Sequence, residues 1–243
     1  MDGTCALSSR GNGVSRDVSQ HMILFEDDHI LAVDKPEGLA SIPERNHEIP
    51  SLLRKLTDER GQRLFVVHRL DKEVSGVILF AKTAEAHRNL NEQFRRGCVE
   101  KHYTALVIGV MLRNQGMIRR PIREFGSGRM GVDQRRGKPA QTAYDVEERL
   151  DGFTLLRVTP RTGRRHQIRV HLFSIGHPVA GDPRYGERSP QLGLPRLMLH
   201  ATRVRFGSPS GIEVTVDSPL PPTFTSVLDR IRFGHGDASD DAD

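Results

Sequence analysis

Short apolar segments separated by turn-forming residues constrain the fold of this chain most strongly. Two pairs of segments have this form: MILFE (22–26) with HILAVDK (29–35), and TAYDVEERL (142–150) with FTLLRVTP (153–160). Asp27-Asp28 connects the first pair and Asp151-Gly152 the second, and two-residue connections of this kind are typical of β-hairpins. These two hairpins, together with similar apolar segments elsewhere in the chain, predict an α+β fold. Its sheet is mixed, mainly antiparallel, and carries flanking helices.

Four segments carry the signals of these flanking helices. Ser51 and Thr83 each precede an apolar pattern with helical spacing, and a glycine follows where each pattern stops. In RRHQIRVHLFSIG (164–176) the apolar residues recur at i, i+4 and i+7, which predicts a helix ending at the final glycine. A last helix is predicted to be capped by Thr223.

The 243 residues divide into three parts by composition. Residues 1–20 are rich in Gly and Ser and lack periodicity, which predicts a flexible leader. Residues 234–243 hold four Asp and no Lys or Arg, which predicts an acidic disordered tail. No shift in composition marks a linker between them, so we predict one domain over residues 21–233.

Composition also excludes several classes of protein. Hydrophobic residues make up 36% of the chain, enough for a core once the 23 glycines are added, so wholesale disorder is excluded. No apolar run approaches the roughly 20 residues of a membrane span, and no signal-peptide core opens the chain. Two cysteines cannot form a disulfide framework. We therefore predict a cytoplasmic protein that does not bind membranes.

The positive charge of the chain is unevenly distributed. The formal net charge is +5, but residues 21–233 hold 34 basic and 25 acidic residues, a net charge of +9. Thirty of the 36 basic residues are Arg, whose guanidinium binds phosphate in a bidentate manner. A polyanionic partner is one interpretation, and a solvated basic surface is the other.

The segment VVHRLDKEVSGVILFAK (66–82) is the most informative for chemistry. Two apolar strands enclose a charged stretch, and polar groups at the ends of buried strands are held on a rigid scaffold, as a catalytic group requires. A charged surface turn would have the same composition, so the segment alone leaves both interpretations open.

This segment resembles the signature of the RluA-type pseudouridine synthases, and further blocks follow the order of that family. They are DKPEGLASIP (34–43), EKHYTALVIG (100–109), TGRRHQIRVHL (162–172), GHPVAGDPRYG (176–186) and LMLHATRVRF (197–206). The resemblance extends over most of the chain, from about residue 21 to 222. It implies the family's catalytic fold and a cofactor-free RNA pseudouridine synthase, with tRNA or large-subunit ribosomal RNA as the partner.

The resemblance also implies the catalytic residues. Asp71 aligns with the essential aspartate of enzymes that detach a uracil from its ribose, turn it and rejoin it through carbon 5. A carboxylate suits this reaction as a nucleophile or base. Addition to the base, attack on the anomeric carbon and removal of a sugar proton remain open, and we favour chemistry at the sugar. Tyr103 corresponds to the tyrosine that stacks on the uracil, and Arg169 to the basic residue that pairs with the aspartate.

Four more residues are assigned to substrate binding on the same basis. Arg69 is expected to face the RNA and to fill the gap left by a flipped uridine. Arg164 belongs to a basic cluster expected to contact phosphates. His68 and His166 are expected to be structural or RNA-facing histidines.

The sequence predicts neither a metal site nor a nucleotide cofactor. His166 and His171 are five residues apart, not the four that place two zinc ligands on one helix face. The glycines follow no phosphate-loop spacing. Asp182, in the stretch GDPRYG, is interpreted as a turn residue whose carboxylate orders a loop.

Two departures from the family pattern accompany the resemblance. Val74 stands where the family usually has Thr, so a hydroxyl and its local hydrogen bonding are lost. The twenty residues ahead of the first strand are too few for the separate RNA-binding domain that many relatives carry. We therefore expect the catalytic domain itself to recognise RNA, as a monomer.

Two other functions remain open at this stage. One is an RNA-binding protein on an inactive synthase scaffold, which loss of Asp71, Tyr103 or Arg169 would have favoured. The other is an N-glycosidase that releases a base, for which Asp71 and Glu73 would act as a carboxylate pair.

Overall fold

The structure, a computed structural model, describes residues 22–43, 50–186 and 193–234. The predicted leader lies outside these residues, and so does the predicted tail apart from Gly234. The described elements are, in chain order, β1 (Ile23–Glu26), β2 (Ile30–Lys35), α1 (Leu52–Arg60), β3 (Phe65–Val66), β4 (Ser75–Ala81), α2 (Ala84–Arg96), β5 (Glu100–Ile108), β6 (Gln115–Arg119), β7 (Ile122–Glu124), β8 (Met130–Val132), β9 (Gln141–Leu150), β10 (Phe153–Pro160), α3 (Gln167–Ser174), β11 (Leu199–Gly207), β12 (Glu213–Asp217) and α4 (Pro222–Phe233).

A ten-stranded mixed sheet organises these elements and confirms the predicted fold class. Its strand order is β1-β2-β4-β11-β5-β10-β9-β6, with β12 beside β11 and β3 beside β4. The pairs are antiparallel except for β4 and β11, which are parallel. Strands β7 and β8 form a separate two-stranded hairpin. Both predicted two-residue connections join antiparallel neighbours, β1 with β2 and β9 with β10.

The parallel contact between β4 and β11 lies at the centre of the sheet and depends on Gly76. Ser75 pairs with His200, and Gly76 pairs with Ala201. Gly76 has a φ of +112°, and a Cβ there would lie 2.3 Å from the carbonyl oxygen of Ala201. Any side chain would therefore force the two strands apart, which accounts for glycine at this point of the strand.

The apolar core lies against this sheet, with a smaller cluster outside it. Strands β2 and β4 are buried on both faces, because Ile30–Val33 and all seven residues of β4 are inaccessible to solvent or nearly so. A second cluster of buried residues joins the β7–β8 hairpin to α3 and comprises Ile122, Met130, Ala140, Val170 and Tyr185. None of the helices in the described ranges has the length and apolar character needed to cross a membrane.

Most helix signals are confirmed, but the prediction that Thr223 caps the last helix is wrong. The hydroxyls of Ser51 and Thr83 accept hydrogen bonds at the starts of α1 and α2, as expected. Helix α4 instead begins at Pro222, because proline is preorganised for the first helical position. The hydroxyl of Thr223 donates to Glu37 at 3.3 Å.

The sequence patterns also missed three strands. Residues 129–141 are predicted as a basic connection, yet they contain β8, and β6 and β7 were not predicted either. These strands are three to five residues long and mix polar with apolar residues. Such short segments carry no clear alternation, so turn-forming residues dominate the pattern.

Candidate active site

One cavity of about 440 Å³ brings together all seven residues predicted for the site. It lies between the loop that precedes β4, the end of α2, strand β5 and the segment that leads into α3. Its lining includes Asp71, Tyr103 and Arg169, and also His68, Arg69, Arg164 and His166. Residues far apart in the sequence therefore converge on one site, while their individual roles stay predictions.

Hydrogen bonds from Ser41 and Gly38 hold the backbone of the loop that carries Asp71. The Ser41 hydroxyl donates to the carbonyl of Leu70 at 2.8 Å, and the amide of Leu70 donates back to that hydroxyl at 3.1 Å. One residue beyond Asp71, the carbonyl of Lys72 accepts from the amide of Gly38 at 2.9 Å. The backbone on both sides of Asp71 is thus held by the segment that follows β2.

Lys35 completes this support and was not identified from the sequence. Its side chain is fully buried, and Nζ donates to the carbonyls of Pro36 at 2.7 Å, Leu39 at 2.8 Å and Lys72 at 3.1 Å. Burial lowers the pKa of Lys35 to about 7, although the negative charge of Asp71 raises it. Two signals in the sequence could have identified Lys35: it ends a strand that begins with four apolar residues, and it lies in the block DKPEGLASIP (34–43).

Arg169 binds three carboxylates from a fully buried position. Its Nε and Nη2 donate to Asp182 at 2.7 and 2.8 Å. Its Nη1 donates to Asp71 at 3.2 Å and to Glu73 at 3.3 Å. Burial opposes the charge, but hydrogen bonding to Asp182 and the surrounding carboxylates raise the pKa of Arg169 above its ordinary value. The guanidinium is therefore a permanent cation beside the Asp71 carboxylate.

Asp182 does more than the sequence suggested. Its carboxylate accepts from the amides of Arg184 at 2.9 Å and Tyr185 at 3.2 Å, so it orders its own loop as expected. The same buried carboxylate makes the bidentate contact that orients Arg169. No spacing rule links these two residues, because the contact depends on how the loop after α3 folds back.

Tyr103 stands on β5, opposite Ala201 of β11. Burial raises the pKa of its phenol above the ordinary value, and the negative charge of Asp71 raises it further. The hydroxyl is therefore protonated at neutral pH and lines the cavity as a hydrogen-bond donor and an aromatic surface.

The accessibility to a ligand differs among three further residues of the cavity, Arg69, Arg164 and His166. Arg69 is exposed at the cavity. Arg164 is also exposed, and its Nε donates to the carbonyl of Pro139 at 3.1 Å. His166 is held in the left-handed region at a φ of 53°, and its Nδ1 forms a hydrogen bond with the Tyr185 hydroxyl at 2.8 Å. Its Nε2 lies 3.9 Å from Oδ2 of Asp71.

His68 has a scaffold contact that accounts for its position. Its Nε2 accepts a hydrogen bond from the amide of Leu79 at 2.9 Å, and its ring stacks on Phe94. Burial lowers the pKa of His68 to about 3, with a smaller effect of the charge on Lys101. The neutral imidazole thus joins the loop to β4, and we favour this role over a direct contact with a ligand.

We expect His68 to make the protein sensitive to acid. An unfolded histidine takes up its proton near pH 6.5, whereas the folded one resists protonation down to about pH 3. The contribution of the neutral His68 to the free energy of unfolding is complete above pH 6.5. This contribution is lost as the pH falls from 6.5 towards 3, at up to about 1.4 kcal/mol per pH unit. Urea unfolding at pH 7, 6 and 5 should show a shallower loss in His68→Gln than in the native protein. Equal slopes would contradict the buried, neutral imidazole.

No group of three His, Cys, Asp or Glu side chains in the described part of the chain is placed to hold a metal ion. The arrangement that is present is a carboxylate and a guanidinium beside an aromatic ring, in a cavity large enough for a nucleobase. Such a site can bind a planar ring, hold a negative charge near a sugar and relay protons.

Comparison with known proteins finds a matching family and several relatives of similar sequence. Residues 29–174 match the family described as RNA pseudouridylate synthase. The chain is 43% identical to Ribosomal large subunit pseudouridine synthase D of Nitrosomonas europaea, over 86% of this chain and 65% of that protein. It is 39% identical to Ribosomal large subunit pseudouridine synthase C of Pasteurella multocida, over 93% of this chain and 72% of that protein. The chain thus spans just under two thirds of the Nitrosomonas protein.

A solved structure has a similar fold. Human RNA Pseudouridylate Synthase Domain Containing 4 matches with a TM-score of 0.72 and 27% identity, over 88% of this chain and 94% of that chain. The similarity in fold therefore extends over most of this chain.

Proposed function

The chain belongs to the RNA pseudouridylate synthase family, and we propose that it converts a specific uridine to pseudouridine in structured RNA. The observation that carries this proposal is the placement of Asp71 in the cavity, with its Oδ2 3.2 Å from Nη1 of the buried Arg169. Large-subunit ribosomal RNA is the first candidate substrate, because that RNA appears in the names of the bacterial relatives. Transfer RNA is the second.

The reaction is an isomerisation that needs no external reactant. The bond between N1 of uracil and the ribose C1′ breaks, and a bond between C5 and C1′ forms. The proton on C5 leaves to a base, and N1 gains a proton, so atoms and electrons balance. We propose that Asp71 acts at the sugar, either as a nucleophile on C1′ or as a base, and that the hydrogen bond from Arg169 orients it.

The reacting atoms of a stacked uridine are inaccessible, so we propose that the target is flipped into the cavity. Tyr103 would stack on the uracil, and its protonated hydroxyl lies in the same cavity for proton transfer. Arg69, exposed at the cavity, would occupy the space that the uridine leaves. Arg164 would contact a phosphate. We further propose a cofactor-free monomer that acts in the cytoplasm.

Release of tritium from RNA tests this function. Unmodified large-subunit ribosomal RNA and transfer RNA, transcribed with 5-tritiated uridine, should each be incubated with the purified protein. We expect tritium to appear in the solvent, with pseudouridine and without free uracil in the RNA digest. Free uracil would indicate an N-glycosidase, and RNA binding with neither product would indicate an inactive scaffold. Comparing RNA from cells with and without the gene would then identify the modified position.

A further inference from the structure

A second cavity, of about 460 Å³, lies between the β7–β8 hairpin and α3, outside the catalytic cavity. Three aromatic side chains line it: Phe125, Phe173 and Tyr185. Phe125 is 37% exposed and Phe173 is 42% exposed, so both rings are accessible to a ligand. Ligand pockets typically have volumes of about 300–1,000 Å³, so this cavity is large enough for a nucleobase. We call it the aromatic pocket.

The aromatic pocket is surrounded by positive charge. The Arg129 guanidinium carbon lies 5.3 Å from the ring centroid of Tyr185 and 5.8 Å from that of Phe173. Arg123 lies over the Phe125 ring at 4.3 Å. Arginine and aromatic rings placed together in this way are typical of surfaces that bind single-stranded nucleic acid, where bases stack and phosphates are neutralised.

Within residues 22–43, 50–186 and 193–234, no acidic side chain pairs with Arg129. Nearby acidic residues are already engaged, because Glu124 pairs with Arg165 at 2.8 Å and Asp133 pairs with Arg123 at 2.8 Å. Among the described residues no carboxylate lies within ion-pair distance of Arg129. An anionic ligand is therefore favoured over a neutral or basic protein surface. The aromatic rings beside Arg129 further favour a nucleotide, which carries a phosphate and a base that can stack.

Tyr185 connects the aromatic pocket to the catalytic cavity. Its hydroxyl is hydrogen-bonded to Nδ1 of His166, and its ring packs under the Arg169 guanidinium at 5.3 Å. His166 and Arg169 both line the catalytic cavity. Tyr185 thus lines the aromatic pocket and contacts two residues of the catalytic cavity, so the two cavities are neighbours.

From these contacts we propose that the aromatic pocket binds a second unstacked base of the RNA strand that carries the target uridine. The base stacks on Phe173 and Phe125, and Arg129 binds the adjacent phosphate. The inference rests on the proposed function for the identity of the strand. It extends that function, because a second base outside the catalytic cavity contributes to the choice of uridine.

Substitutions at Phe173 test the proposal. Binding of large-subunit ribosomal RNA transcript should be measured by titration at fixed salt, with urea unfolding to verify the fold. We expect Phe173→Ala to raise Kd by about 5- to 150-fold, which corresponds to ~1–3 kcal/mol for one base stacked on an aromatic ring. Phe173→Leu, which keeps the apolar volume, should bind as weakly, and Phe173→Tyr should bind within threefold of the native protein. Phe125→Ala should weaken binding in the same direction.

Phe233 provides a matched control. It is 80% exposed in α4, so Phe233→Ala removes an exposed phenylalanine away from both cavities and should leave Kd unchanged. Photocrosslinking of transcript that contains 4-thiouridine should label the β7–β8 hairpin or α3. Native affinity in Phe173→Ala, or in Phe173→Leu, would overturn the proposal and leave the pocket to an apolar protein contact. If the native protein bound the transcript in a Phe173-dependent way but released tritium from neither ribosomal nor transfer RNA, the proposed function would fail while the aromatic pocket stood.

Discussion

Replacing Asp71 with asparagine should lower the rate of tritium release from RNA by about 10⁴-fold or more, while Kd for the same RNA changes less than threefold. Asparagine retains the shape of the side chain and an oxygen that can accept from Arg169. It loses the negative charge and the basicity, and replacing a single essential catalytic residue in an enzyme costs about 10⁴-fold or more. Single-turnover assays with excess protein separate the chemical step from binding.

Glu73 supplies the matched control for Asp71. It lies two residues away and contacts the same nitrogen of Arg169, at 3.3 Å against 3.2 Å for Asp71. Its side chain is 33% exposed, so its pairing contributes little. We expect Glu73→Gln to reduce the rate less than fivefold. If Glu73→Gln were as damaging as Asp71→Asn, the two carboxylates would act as a pair, as an N-glycosidase requires. Full activity in Asp71→Asn would remove Asp71 from the mechanism.

Replacing Asp182 with alanine should destabilise the protein and abolish activity together. The guanidinium of Arg169 is fully buried, and Asp182 accepts two of its hydrogen bonds. Breaking a buried ion pair on one side costs about 3–5 kcal/mol, because the remaining charge stays buried without its partner. Arg169 would also lose the contact that orients it towards Asp71, so we expect tritium release to fall by at least ~100-fold. Urea unfolding and single-turnover assays measure the two losses separately.

A double variant separates positioning from stability. Arg169→Met combined with Asp182→Asn removes both buried charges, and the asparagine oxygen can still accept from the amides of Arg184 and Tyr185. Removing both partners of a buried ion pair costs far less than removing one. We expect its free energy of unfolding to return towards the native value while tritium release stays low. Native activity in this double variant would show that the cation is not needed beside Asp71. Native stability in Asp182→Ala would contradict the buried pair itself.

The sequence predicts those parts of the fold that depend on local patterns. Helices α1 and α2 begin where a hydroxyl caps a helical pattern, and the β9–β10 hairpin turns at Asp151-Gly152. Strands β7 and β8 have three residues each, so their pairing depends on packing against α3 and not on periodicity. The start of α4 was predicted wrongly for a related reason. Pro222 favours the first position of a helix more strongly than the hydroxyl of Thr223 favours a cap.

The candidate site likewise contains residues that the sequence predicted and contacts that it did not. Asp71, Tyr103 and Arg169 were predicted because they lie in blocks that resemble a known family, and the structure brings them into one cavity. The contacts of Lys35 and Asp182 were not predicted, because each side chain binds a partner that is distant in the sequence. Lys35 binds a carbonyl 37 residues away, and Asp182 binds a guanidinium 13 residues away. Contacts of this kind follow from the fold and carry no local sequence signature.

The parallel contact between β4 and β11 has a consequence for the order in which the protein folds. Ser75 and His200, which meet there, are 125 residues apart, and closing so long a loop is entropically costly. Contacts at such separation form slowly compared with the hairpins on either side. Asp71 precedes β4 on one side of this contact, whereas Tyr103 and Arg169 belong to elements on the other side. The pairing of β11 with β5 also joins residues far apart in the sequence. We therefore expect the local hairpins to gain structure first, and the active site to form only when β11 pairs with both β4 and β5.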